Sequence, residues 1–346
     1  MSNQAIAAAP PVPPPQGRAL TPAERSRSRS YRLRQSALDV LILFLAVQIG
    51  SIVYGLVDPE EFAYTSSANV SIALQVIPLV GIPALGVGVL MIAGEFDLSV
   101  GGIYVFSGMA MAKLAEGGLD PFAAALLCVA VGGAIGSLNG LITVGLRVPS
   151  FITTLGTAGV WTSAALLINS SSISFVPESS FFAHLTSGDI GVVPAEVLWF
   201  AGAAVVFWLF LQRLTVGNHL FAVGGNRAAA VANGIRVSRV KVLAFTISGM
   251  CASLAAVLAA SRTGVVSPDA GVTLPLQAIA ACVVGGLLLT GGRGTVLGVV
   301  LGAALIYWIQ DVLLLVGAPG YYLDGFVGAL VVAAAAVYSV MRTRGS

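Results

Sequence analysis

The sequence predicts an all-α polytopic membrane protein of about ten transmembrane helices with both termini cytoplasmic, on three observations. Of its 346 residues, 57% are hydrophobic and only 9% charged, against roughly 45–50% and 25% in soluble domains. Those roughly 200 apolar residues, at ~20 per crossing of a hydrocarbon core, allow about eight to ten crossings. They fall in runs of crossing length, and the charges between the runs segregate by side. A water-soluble enzyme, a disordered chain and a nucleic-acid binder are excluded.

Residues 1–35 carry Pro10, Pro11, Pro13, Pro14 and Pro15, then Arg25, Arg27, Arg29, Arg32 and Arg34. Such a stretch buries no core and lacks the early apolar run and small-residue cleavage site of a secretory signal. It reads as a retained, disordered cytoplasmic tail. The membrane domain follows over 36–342.

Segments fall near 37–57, 69–93, 99–116, 121–146 and 150–168, then near 195–213, 241–261, 275–290, 295–316 and 321–341. The 150–168 and 275–290 runs are short, which leaves a partly re-entrant path open for both. Pro78 and Pro83 remove two backbone donors from the second segment and predict a break or kink there. The polar loop 169–194 is expected outside, with a small structure of its own. The loop 214–240 is basic and glycine-punctuated, and its alanine-rich stretch 226–233 predicts a short helix at the cytoplasmic surface.

An even number of crossings puts both termini on one side, and the charges agree. The cytoplasmic side collects Arg18, the tail arginines, Arg147, Arg213, Arg227, Arg236, Arg239, Lys241, Arg293, Arg342 and Arg344, leaving only Lys113 and Arg262 outside. The outer loops hold Asp58, Glu60, Glu61, Glu116, Asp120, Glu178, Asp189 and Asp269.

Catalytic and metal chemistry find no footing. With Lys113 and Lys241 as the only lysines, no phosphate-cradling G-x-x-x-x-G-K-[ST] loop can form, so no nucleotide binds this chain by that route. Cys128, Cys251 and Cys282 lie apart inside apolar runs, and His184 and His219 have no nucleophile nearby in sequence. No catalytic residue, metal ligand or cofactor is therefore assigned.

Helix packing is expected at two glycine ladders of four-residue spacing, Gly132, Gly136 and Gly140, and Gly294, Gly298 and Gly302. In GEFDLSVG, residues 94–101, Asp97 is expected to cap the third segment by accepting from the backbone of Ser99 or Val100, with ion or proton carriage as the competing role. A neutral polar solute calls for hydroxyls, amides and aromatic faces inside the membrane. Gln75, Phe96, Phe106, Ser107, Asn139, Phe151, Thr153, Thr154 and Thr157 supply them. Helix-to-helix hydrogen bonding or packing explains each singly as well.

Four stretches resemble one family. They are GEFDLSVGG from 94, PSFITTLGT from 149, GGNRAAAVANGIRVSRVKVLAFTISG from 224 and LQAIAACVVGGLLLTGGRGTVLGVVLGA from 276. Together they resemble the membrane permeases of bacterial sugar-uptake ABC transporters of the ribose, xylose and galactose type, over roughly 40–340.

The family pattern G-x-N-x-x-A-A-x-x-S-G-I is matched by Gly224, Asn226, Ala229, Ala230, Gly234 and Ile235, with Asn233 where serine is usual. The resemblance implies that this loop couples the chain to a separate ABC ATPase subunit carrying ATP and Mg, with Arg227, Arg236 and Arg239 pairing to acidic groups of that partner. It also implies a second permease chain, a periplasmic or lipid-anchored solute-binding protein on the 169–194 side, a sugar-like substrate and residence among the lipids of the bacterial inner membrane. Pro275 and Gln277 stand where the family commonly has an acidic residue. The rival reading is an ion-gradient-driven secondary transporter using Glu95 and Asp97.

Overall fold

A computed structural model describes residues 22–169, 174–175 and 180–344. The chain runs through helices α1 (Pro22–Val57), α2 (Ser67–Ile92), α3 (Val100–Glu116), α4 (Pro121–Gly145) and α5 (Ser150–Asn169). Next come β1 (Ser174–Phe175), α6 (Ser180–Thr186), β2 (Asp189–Ile190), β3 (Val193–Pro194) and α7 (Ala195–Arg213). α8 (Thr215–Gly225), α9 (Arg227–Ala232) and α10 (Val237–Thr263) follow, then β4 (Val265–Val266), α11 (Leu274–Val284), α12 (Val296–Leu315) and α13 (Tyr321–Arg344). Seven of the described helices, α1, α2, α4, α5, α7, α10 and α12, are long and apolar enough to cross a membrane.

Each expected segment overlaps a helix, though the 275–290 run is helical only to Val284, and local chemistry sets several boundaries. Ser66 caps α2 by accepting from Asn69 N–H, and Asp120 caps α4 by accepting from Phe122 and Ala123, with Pro121 in the first turn. Gly264, at φ 66°, ends α10 in the left-handed conformation.

Three expectations need correction or trimming. α1 begins at Pro22, so residues 22–35 of the expected tail are helical; residues 1–21 lie outside those described. α2 runs without a break through Pro78 and Pro83, both buried where neighbouring helices pack on it. The 214–240 loop holds two helices, α8 and α9, where one was expected.

α2 and α10 form the centre, and the Cβ position of Gly86 lies 2.8 Å from Cys251 Cβ. Around them the packing repeats itself. Exchanging α2, α3, α4 and α5 for α10, α11, α12 and α13 maps the contact of α4 with α10 onto that of α12 with α2. It likewise maps α3 with α10 onto α11 with α2, α3 with α4 onto α11 with α12, and α3 with α5 onto α11 with α13. The two halves run in opposite senses: Glu95, just past the end of α2, pairs with Lys241 at the start of α10, while Gly86 meets the stretch Ser248 to Cys251. This is an inverted repeat.

Segment 169–194 is described in part. β1 pairs antiparallel with β4, β2 pairs with β3, and α6 packs on α7 and α10. Arg262 at the end of α10 ties this region down, donating from Nε and Nη2 to Glu196 at 2.7 and 2.9 Å, with Asp189 3.8 Å away.

Candidate functional site

Two sites emerge, a surface at the α8–α9 loop and a polar turn buried between α2 and α3.

Asn226 accepts from Ala229 N–H at 3.0 Å and so starts α9, while Gly234, at φ 76°, ends it. Gly224 is wedged where Gly292 N–H donates to Ile92 carbonyl at 2.8 Å; a Cβ at 224 would overlap that carbonyl oxygen. The loop therefore rests by bare backbone on the end of α2 and on the turn before α12.

The expected docking residues divide. Arg227, Ala229 and Arg239 are exposed, whereas Ala230 is buried at 2% exposure and Ile235 is half-buried. Ala230 faces the chain's own core, because a six-residue helix lying on the bundle must turn one side inward. The large exposed apolar residue on α9 is Val231, which alanine-rich composition did not single out.

At the buried turn, Asp97 is fully buried. It accepts from the backbone and hydroxyl of Ser99 and, at 2.8 Å, from the hydroxyl of Ser248 on α10. Asn139 on α4 donates to Ser99 Oγ at 2.7 Å. From α5, Ser150 Oγ accepts from Phe96 N–H and Thr154 Oγ1 accepts from Leu98 N–H. One irregular turn thus ties together α4, α5 and α10. Asp97 does bond the backbone of Ser99, as a cap would, yet its reach to Ser248 makes it a tertiary link as well.

Other expected pathway residues scatter. Ser107 and Ser253 share a hydroxyl hydrogen bond of 2.6 Å, and Phe106 meets Trp161 edge-on at 5.0 Å. Phe96 and Thr157 are half-buried, and Thr153 is buried with its hydroxyl unpartnered among the described residues. Gln75 bonds to Ser71 one turn away and Phe151 is 55% exposed, so neither joins the turn.

The glycine ladders are close-approach surfaces with one exception. A Cβ on Gly132, Gly136 or Gly140 would strike α10, and one on Gly298 or Gly302 would strike the end of α11. Gly294, at φ 159°, lies in the turn before α12 and not on its face. Among the described residues no group of three His, Cys, Asp or Glu side chains could hold a metal.

A multi-pass helical bundle built as an inverted repeat, with polar groups buried at its middle and a helical loop at one end, defines a membrane transport permease. The chain belongs to the family described as branched-chain amino acid transport system / permease component, which matches residues 69–335. It is 33% identical to the D-allose transport system permease protein of Escherichia coli (strain K12) over 85% of this chain and 90% of that one. It is 32% identical to a probable ABC transporter permease protein of Sinorhizobium fredii (strain NBRC 101917 / NGR234), over 91% of this chain and 92% of that one. With the ribose import permease protein of Haemophilus influenzae (strain ATCC 51907 / DSM 11121 / KW20 / Rd) it shares 29% identity over 84% and 88%. No solved structure matches the chain. The chain is thus the permease subunit of an ABC import system and a multi-pass protein of the bacterial inner membrane. The gradient-driven reading gains no support from these relatives, and Glu95 is already paired to Lys241.

Proposed function

We propose that this permease carries a sugar or similar small polar solute inward, powered by ATP and Mg held on a separate ABC ATPase subunit that docks on the 214–240 loop. The observation that carries the reading is the seat of Gly224 on Ile92 and Gly292, which gives a push on α9 a rigid route into α2. Arg227 and Val231 form the docking face, a cation beside an exposed apolar anchor. Names of relatives that move D-allose and ribose support a sugar, as do the buried hydroxyls and amides and the scarcity of buried cations.

In the same reading the chain crosses the membrane ten times, α3, α11 and α13 completing the set, with both termini cytoplasmic. A second permease chain packs beside it, and a periplasmic or lipid-anchored binding protein delivers solute to the 169–194 side. The chain itself holds no cofactor and makes no bonds. ATP-driven closure of the ATPase pair rocks the bundle between outward-open and inward-open packings.

Val231→Asp tests this. The variant should reach the membrane at normal level, lose co-purification with the ATPase and lose uptake. Undiminished co-purification and uptake would remove α9 from the coupling role.

A further inference from the structure

Residues 264–273, between α10 and α11, read in sequence as part of an outer loop. Contacts place them elsewhere. Gly264 caps the outer end of α10, and Val266 lies against Gly108 on α3. Gly271 then lies against Gly101, about 10 Å further along α3 at 1.5 Å per residue. The depth of Gly101 is set by its neighbours: Asp97 bonds Ser248 and Ser107 bonds Ser253, so Gly101 stands level with the stretch between them. That is the middle of α10, which runs from Val237 to Thr263. The segment therefore descends from the outer face to the centre of the bundle without forming a helix, and α11 starts there.

Irregular backbone at this depth persists only where protein buries it or water bathes it. Asp269, Ala270 and Val272 are exposed, so protein leaves one side of this stretch open, while Gly271 is buried against Gly101. Asp269 has no ion-pair partner among the described residues, and a bare carboxylate against acyl chains is strongly unfavourable. Water in a cleft of the bundle, or between it and the second permease chain proposed above, is the neighbour that suits this carboxylate. The matching stretch of the other half, 95–99, also ends at mid-depth, where α3 starts; beside it the buried Asn139 Oδ1 and Thr153 Oγ1 lack partners among the described residues. Paired interruptions at corresponding places in inverted halves mark where transporters hold their cargo.

We propose that the solute route passes along residues 267–273 and that the Asp269 carboxylate accepts hydrogen bonds from solute hydroxyls there. The inference deepens the sugar-import reading and rests on it. Ser267 and Thr273 offer neutral donors and acceptors in the same irregular segment, a set suited to a polyol.

The test has two arms on the permease–ATPase complex. For the first, Asp269→Cys is exposed in lipid nanodiscs to a charged, membrane-impermeant thiol reagent, at rest and arrested with ATP and vanadate. Native Cys128, Cys251 and Cys282 are buried, and Val205→Cys on the exposed face of α7 is the control. Labelling of position 269 in either state, and not of 205, is expected; no labelling of 269 in both states overturns the route. For the second, D269N is assayed for uptake of labelled D-ribose and D-allose in proteoliposomes supplied with the binding protein. Loss of the charged acceptor should lower uptake about tenfold or more. Labelling with unchanged D269N uptake overturns the hydrogen-bonding role. Labelling of Asp269→Cys, together with a wild-type complex that moves neither sugar, overturns that role for these sugars, as well as the solute class above, and leaves the route standing.

Discussion

Gly101 and Gly271 face each other so closely that a Cβ added to either would overlap the carbonyl oxygen of the other. One opens α3 and the other precedes α11, so this contact joins the two interrupted crossings at the middle of the bundle.

Gly101→Ala and Gly271→Ala should each destabilise the protein by about 1–3 kcal/mol, because the obstacle is backbone and cannot rotate away. Thermal unfolding in detergent reads this. Gly202→Ala, with open space around its Cβ position in α7, is the matched control and should unfold no earlier than the parent. Equal melting of all three variants would mean that the interrupted crossings do not pack as described.

Coupling should depend on bare backbone at Gly224. In Gly224→Ala the loop must lift from Ile92 and Gly292, so ATP hydrolysis by the complex should persist while uptake falls. Uptake and hydrolysis measured together in proteoliposomes separate the outcomes. Retention of both at parental level contradicts the rigid route.

Glu196 is fully buried and its charge is met by Arg262, itself 21% exposed. Arg262→Met strands that carboxylate and should cost about 3–5 kcal/mol, whereas pairing the change with Glu196→Gln should recover much of the loss. A double-mutant cycle on unfolding midpoints measures it. Additive losses would show that the pair does not tie α7 to α10.

Asp97 is expected to act as a structural tie. Ser248→Ala removes one donor and should cost about 1–3 kcal/mol, with uptake retained at temperatures well below unfolding. Full stability of Ser248→Ala would show that the link to α10 carries no load.

Helix placement was legible because hydropathy reports how long each apolar run is: 121–146 and 195–213 agree with α4 and α7 almost to the residue. Hydropathy does not report which side of a helix faces inward, so it could not show Ala230 turned into the core with Val231 left outside. Nor could it place 264–273, since a polar run reads as a surface loop whether it lies on the bilayer or dips into it. The clue available was α11 itself. Its apolar helix is too short to cross by itself, and a short helix after a polar run is what an interrupted crossing looks like in sequence. The tie from Asp97 to Ser248 joins residues 151 positions apart, beyond the reach of local spacing.

The central claim is that this permease works only with an ATPase partner. Purifying the tagged chain from native membranes in mild detergent, and identifying its companions by quantitative mass spectrometry, tests that most directly. The account predicts an ATP-binding subunit in roughly equal amount, lost when Val231 is changed to Asp. A chain that emerges alone and transports solute in liposomes under an ion gradient would contradict it.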